Sequence, residues 1–426
     1  MVVKCEIKFD NNPNGIYFAG QTLSGTVELT FDKPKKLRGL ILKIEGFAKV
    51  HWTERERRSR FQSGQNHHAT NQKIVNYNGR EDYLNSVTYL IGGPEGNQIE
   101  VEPGTYQYNF QSVLPPLLPT SFEAKHGHIR YLVNVVIDRP WKFDLTYKLA
   151  FTVIKQLDLN YENPALRIPT KVEKIDTFFC GFCKTAPVYM AASIPMSGFV
   201  PGQNIPVCIE INNESRIAID DVKVSLKKLV CYHSQTPKMK TKEEIISVKE
   251  IRSGEVRKRS KGKFDQRFAI PPLPPSNTNY CRVINVSYEI HVTAKVSGLH
   301  VNPVLKLPIT LGTVPLSSPQ NNLNVSQQSS STPSPTGNLL TFSDILHPQS
   351  NTQETNRELP PPSYHEAMGS AVQLNEEGEH SMGTRTFNPM YPVYSFETNQ
   401  MMESTTTLNH ELPPGSVSDS AIIQKY

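Results

Sequence analysis

The chain is 426 residues long, has a net charge of +5 and contains 33 prolines and six cysteines. That length fits two or three domains, and the proline content marks part of it as unfolded. No apolar run approaches the about 20 residues of a membrane-spanning helix. The opening Met1-Val2-Val3-Lys4-Cys5 runs straight into an alternating pattern, with no basic-then-apolar leader. Scattered cysteines fit a reduced compartment better than a disulfide framework, so a soluble intracellular protein is expected.

Charge divides the chain. From Leu316 onward three Lys/Arg stand against eleven Asp/Glu, a net of -8, which leaves the first 315 residues at +13. A basic body with an acidic tail is either a well-solvated surface or a body that faces an anionic membrane leaflet or acidic cytoplasmic peptides.

Residues 1–315 read as strands. Segments 25–30, 40–50, 131–137 and 283–296 are rich in Val, Ile, Thr and Tyr and alternate apolar with polar residues. Glycine and proline clusters punctuate them, among them Gly92-Gly93-Pro94 and Pro201-Gly202. Many short strands with frequent turns make an all-β sandwich the economical architecture.

An internal repeat sharpens that reading. Phe18-Ala19-Gly20-Gln21 precedes a strand-like run, and Val200-Pro201-Gly202-Gln203 precedes another, 182 residues later. Leu114-Pro115-Pro116-Leu117 matches Ile270-Pro271-Pro272-Leu273 at an offset of 156, and 131–137 finds 288–293 at nearly that spacing. The matches keep their order, so the body is read as a duplicated β-sandwich. The Gly-Gln pairs sit at turns where glycine takes positive φ. The Pro-Pro pairs fix extended segments outside a central ladder. The drop in offset puts the first copy's extra residues within 53–100, a polar stretch holding Arg55-Glu56-Arg57-Arg58 and His67-His68, expected to be a long mobile loop.

Beyond Leu316 the chain turns polar and low in complexity, as in Gln327-Gln328-Ser329-Ser330-Ser331-Thr332-Pro333. Such composition offers too little apolar surface to offset the entropy of ordering it, so 316–426 is expected to be a disordered tail. Within it lies Pro361-Pro362-Ser363-Tyr364, a Pro-Pro-x-Tyr motif. Consecutive prolines hold polyproline II before a partner arrives, which lowers the ordering cost. Pro361 and Pro362 would lie across the aromatic rings of a WW domain, with Tyr364 in a neighbouring pocket; the bland reading is a proline-rich linker. A second candidate is Asn388-Pro389-Met390-Tyr391, an Asn-Pro-x-Tyr turn of the kind read by phosphotyrosine-binding-type domains. It overlaps Tyr391-Pro392-Val393-Tyr394, a degenerate WW motif that would add avidity. Leu339-Leu340-Thr341-Phe342 is a faint match to a clathrin-box peptide.

Other chemistry finds little support. Cys180-Gly181-Phe182-Cys183 is a single Cys-x-x-Cys, and zinc takes four ligands. It is read as structural, with reversible acylation or metal and redox roles left open. His126-Gly127-His128 is read as a turn between strands. The basic run 252–263 is read as a charged hairpin loop or a membrane-facing patch, since it lacks the interleaved aromatics of a nucleic-acid site. No nucleotide loop, nucleophile elbow or metalloprotease helix occurs. No catalytic, cofactor-binding or metal-binding residue is assigned, and no enzyme activity is expected.

The whole pattern resembles the α-arrestins, the arrestin-domain-containing proteins. The resemblance rests on Phe9-Asp10-Asn11, on Tyr17-Phe18-Ala19-Gly20-Gln21-Thr22-Leu23-Ser24-Gly25, and on His128-Ile129-Arg130-Tyr131 with Asp138-Arg139-Pro140-Trp141. Residues 189–203 resemble the opening of that family's second domain. The implied fold is all-β, with two tandem arrestin-like (immunoglobulin-like) β-sandwiches at 1–155 and 181–315, a linker at 156–180 and the tail at 316–426. The implied function is an adaptor without catalysis. It would link receptors or transporters, through their cytoplasmic regions, to a HECT-type ubiquitin ligase with WW domains, and promote ubiquitination, endocytosis and endosomal sorting. Pro361, Pro362 and Tyr364 would carry the ligase contact. Endocytic machinery would be a further partner, and no nucleic-acid partner is expected. The protein would be cytoplasmic and recruited to the plasma membrane and endosomes. A coat-like or retromer-like trafficking scaffold and a receptor-blocking signalling arrestin are the alternatives.

Overall fold

A computed structural model describes residues 3–58, 71–180, 183–277, 279–317, 362–367, 371–374, 381–383 and 386–396. Alternation decides the strands. In Thr22–Phe31 the side chains of Leu23, Val27, Leu29 and Phe31 are buried, while Thr26, Glu28 and Thr30 keep contact with solvent. In Asn204–Asn213 the buried apolar set is Ile205, Val207, Ile209 and Ile211. Among the described residues the only helical element is a short 3-10 turn, Pro164–Arg167, and no helix is long and apolar enough to cross a membrane.

Each half is a two-sheet sandwich. In the first, one sheet has the order Val3–Phe9, Thr22–Phe31, Gly104–Val113. The facing sheet runs Ile16–Phe18, Leu145–Ile154, Gly127–Asp138, Gly39–Arg58, Asn71–Gly92. In the second, the order Thr170–Asp176, Val188–Ile194, Asn204–Asn213, Ser260–Ala269 faces Gly198–Phe199, Val304–Leu311, Ile284–Val296, Ile219–Ser234, Lys240–Arg252. Buried side chains of both halves belong to one continuous apolar core.

The duplication holds at the level of single hydrogen bonds. Gly20 and Gly202 have φ of +91° and +90°, which an L side chain rarely adopts. The following glutamines each fold back: Gln21 Oε1 accepts from the Phe18 N–H at 2.8 Å, and Gln203 Oε1 from the Val200 N–H at 3.2 Å. Each turn follows a short strand that runs parallel to the last strand of its own sandwich, and leads into the long strand after it. After the Pro-Pro pair, the Tyr131 hydroxyl donates to the Pro119 carbonyl at 2.6 Å and the Tyr288 hydroxyl to Pro274 at 2.8 Å. Ser121 Oγ accepts from the Val153 N–H at 2.9 Å, as Ser276 Oγ does from Leu311 at 3.0 Å.

Three expectations are corrected. The stretch 53–100 is mostly not a loop: Gly39–Arg58 and Asn71–Gly92 pair as one long antiparallel hairpin, and its tip, 59–70, lies outside the described residues. Its second strand is a sheet edge with few buried side chains, so it can be polar and still be a strand. Thr170–Asp176, expected as linker, pairs with Val188–Ile194 and becomes an edge of the second sandwich. The basic run 252–263 is not a hairpin loop, because Lys240–Arg252 and Ser260–Ala269 belong to different sheets and the chain crosses between them. His126, in contrast, does sit in a turn, between Phe122–Ala124 and Gly127–Asp138.

The long hairpin reaches the second sandwich. Asn78 pairs with Thr236, the Arg80 N–H donates to Gln235 Oε1 at 2.9 Å, and Glu54 is ion-paired with Lys240. Glu81 accepts from the Arg282 N–H at 2.7 Å. The connector is tied at its start, where Thr313 Oγ1 accepts from the Leu157 N–H at 2.8 Å. These contacts bring the two halves together along a junction that the tail also reaches.

Candidate peptide site at the junction of the two sandwiches

The expected disordered tail is in part ordered. Ser363–Glu366 pairs antiparallel with Met390–Val393, in a register that sets Tyr364 opposite Pro392. Val372–Gln373 pairs with Thr386–Phe387, and Ser381–Gly383 adds in parallel to Leu145–Ile154, the last strand of the first sandwich. The physical reason is local: 386–394 places Phe387, Tyr391 and Tyr394 in a segment stiffened by two prolines, apolar enough to repay the entropy of ordering it.

That segment lies across both sandwiches. Phe387 and Leu374 pack with Leu132, a buried residue of Gly127–Asp138, and with the partly buried Phe47 and Ala150. The Met390 N–H donates to Thr152 Oγ1 at 3.2 Å. The Tyr391 side chain is 1% exposed, and its hydroxyl donates to the Ser121 carbonyl at 2.9 Å. Burial pushes that hydroxyl well above the ordinary tyrosine pKa, so it remains a neutral donor. Beside it, Arg130 holds Glu123 through two hydrogen bonds, 2.5 and 2.9 Å. Burial still pushes the Glu123 carboxyl upward, with Arg130 opposing it.

Three residues on, contact passes to the second sandwich. The Tyr394 N–H donates to the Pro201 carbonyl at 3.0 Å, and its hydroxyl to the Thr313 carbonyl at 2.7 Å. Gly202 makes this approach possible. A Cβ at that position would sit 2.0 Å from the Tyr394 carbonyl oxygen, so only glycine fits.

Of the residues singled out for WW binding, Pro362 and Tyr364 are half-buried, and burial raises the Tyr364 pKa; Pro361 lies outside the described residues. Asn388 Nδ2 donates to the Ala367 carbonyl and to Glu366 Oε2, each at 3.2 Å, and the Ala367 N–H donates to the Pro389 carbonyl at 2.8 Å. The two candidate motifs thus form one unit. Tyr391 is interior here, so either reading made for it, as a phosphotyrosine-type turn or a second WW ligand, requires undocking. Leu339-Leu340-Thr341-Phe342 and residues 181–182 lie outside the described residues; Cys180 and Cys183 are backbone register partners in a two-strand turn. Among the described residues no group of three or more His, Cys, Asp or Glu is placed to hold a metal.

Sequence reasoning missed the receiving side: Ser121, Thr152, Gly202 and Thr313. Gly202 belongs to the repeated Gly-Gln landmark and Ser121 has its structural counterpart in Ser276, but nothing local marks them as contacts for a segment some 190–270 positions away.

A tandem pair of sandwiches, each with a short strand parallel to its last strand and a Gly-Gln turn directly after it, defines an arrestin-type body. The model of the arrestin (or S-antigen) N-terminal domain matches residues 5–160, and that of the C-terminal domain matches residues 184–316. The chain belongs to the arrestin domain-containing proteins, the α-arrestins, a family of non-enzymatic adaptors. It is similar to arrestin domain-containing protein 17 of Caenorhabditis elegans, 28% identical over 92% of this chain and 98% of that one. It is also similar to mouse arrestin domain-containing protein 4, 29% identical over 72% and 71%, and mouse arrestin domain-containing protein 1, 25% identical over 70% and 62%.

Proposed function

We propose that this arrestin-like trafficking adaptor links membrane-protein cargo to a HECT-type ubiquitin ligase. The body would engage cytoplasmic regions of receptors or transporters, and Pro361, Pro362 and Tyr364 would recruit the ligase through a WW domain. Ubiquitination, endocytosis and endosomal sorting of the cargo would follow, carried out at the plasma membrane and endosomes by a protein drawn from the cytoplasm. The observation that carries this reading is a Pro-Pro-x-Tyr motif attached to a basic arrestin body of +13 by an acidic tail of -8. A body of that charge is drawn to anionic inner leaflets and acidic peptides.

The test is a pull-down of the full chain by WW-domain ligases, comparing wild type with Tyr364→Ala. Loss of association in the variant supports the reading. Undiminished association moves the ligase contact elsewhere, and no association by either form, after the tail has been released, sinks it.

A further inference from the structure

We propose that the junction of the two sandwiches is a binding site for an extended Asn-Pro-x-Tyr-Pro-x-Tyr peptide, occupied by the chain's own residues 386–394, and that this occupancy withholds Tyr364 from WW domains. The second clause rests on the proposed ligase role; the first does not.

The site has the marks of a built receptor. It takes two tyrosines, and each hydroxyl finds a backbone carbonyl, Ser121 in the first sandwich and Thr313 in the second. A carbonyl at the end of a buried pocket selects tyrosine over phenylalanine, since the shorter ring leaves it unpaired. It also rejects phosphotyrosine, whose charged oxygens would meet an acceptor rather than a donor. Two peptide N–H groups, at Met390 and Tyr394, are taken up by Thr152 Oγ1 and the Pro201 carbonyl. Pro389 and Pro392 have no N–H to satisfy and are both buried. Gly202 is cut back to let the peptide backbone pass.

Masking follows from the pairing. A WW domain reads Pro-Pro-x-Tyr as a solvated polyproline II strand with a free tyrosine ring. Here the backbone around Tyr364 is taken by Met390–Val393, and its ring is half-buried. Tyr364 is therefore offered to a WW domain only in the fraction of molecules whose 386–394 segment has left the junction, and apparent affinity falls by that fraction. A second peptide of the same Asn-Pro-x-Tyr-Pro-x-Tyr chemistry would compete for the junction and expose the motif.

The test uses three ligands for an isolated WW domain that binds Pro-Pro-x-Tyr: a synthetic peptide of residues 355–370, the full chain, and the full chain with Tyr391→Ala and Tyr394→Ala. Hydrogen exchange of the Met390 and Tyr394 amides is followed in both full chains, with exchange in Ile284–Val296 as the folding control. The free peptide is expected to bind at least tenfold more tightly than the wild-type chain, and the variant to approach the peptide. The two amides should be protected in wild type and unprotected in the variant. Free-chain exchange of both amides in wild type would overturn the site. Protected amides with equal WW affinity for peptide and full chain would overturn the masking alone. A peptide that binds no WW domain while the amides stay protected removes the ligase reading and the masking with it, and upholds the junction site.

Discussion

The Tyr391 hydroxyl and the Ser121 carbonyl, 270 positions apart in the chain, form a 2.9 Å hydrogen bond in the interior. Ser121 already serves the first sandwich, since its N–H and Oγ both bond to Val153. Its carbonyl is the one backbone group left for the tail. This single bond reports whether the tail is docked.

Tyr391→Phe keeps the ring and removes the bond. An unpaired buried carbonyl costs about 1–3 kcal/mol, so the docked population should fall by about five- to 150-fold relative to the open one. Faster exchange of the Tyr394 amide, with an unchanged melting temperature of the body, is the expected readout. Unchanged exchange would mean that the hydroxyl contributes nothing to docking.

The equivalent glycines give an internal control. Gly20→Ala meets only ordinary contacts, the nearest at 3.7 Å, whereas Gly202→Ala meets the Tyr394 carbonyl at 2.0 Å. Both carry the strain of an L residue at φ near +90°, about 1–3 kcal/mol. Only Gly202→Ala should also release the tail. Limited proteolysis within 386–396 should therefore accelerate for Gly202→Ala and not for Gly20→Ala.

Tyr131 and Tyr288 are equivalent buried struts, each bonded to a proline carbonyl. Tyr131→Phe and Tyr288→Phe should each destabilise by about 1–3 kcal/mol, measured by urea titration. Combining them should be close to additive, since they sit in different sandwiches. A loss in one alone would show that the duplicated bonds are unequal in energy.

His128 supplies a pH dependence. Burial, aided by the positive charges of Arg130, Lys49 and Arg80, holds its pKa down at about 3, against an ordinary 6.5. Between these values the unfolded chain binds the proton and the folded one does not. Its stabilising contribution is therefore present above pH 6.5 and is lost as pH falls toward 3. The slope of stability against pH should be steeper in wild type than in His128→Gln, by up to about 1.4 kcal/mol per pH unit. Identical slopes from pH 6.5 to 4 would refute the assignment.

Much of the body was legible locally. Alternation, the Gly-Gln turns and the Pro-Pro pairs are short-range signals, because a strand's period and a turn's φ are set by neighbouring residues. The polar hairpin strand Asn71–Gly92 and the edge strand Thr170–Asp176 were not legible. An edge strand is held by backbone bonds to one neighbour, and its side chains need not alternate in hydrophobicity. The assignment of 253–259 to a crossing between sheets likewise depends on which strands pair, which no local pattern states.

For the tail, sequence picked out the candidate residues: Pro361, Pro362 and Tyr364 as a proposed WW ligand, and Asn388, Pro389, Tyr391, Pro392 and Tyr394 as a second extended motif. Only the tertiary structure decided that the second motif is a ligand of its own body and that Tyr364 is paired to it. The carbonyls of Ser121, Pro201 and Thr313 that receive it come from distant parts of the chain, and a backbone carbonyl has no signature in sequence. It becomes a site when folding leaves it unpaired and aims it at a pocket.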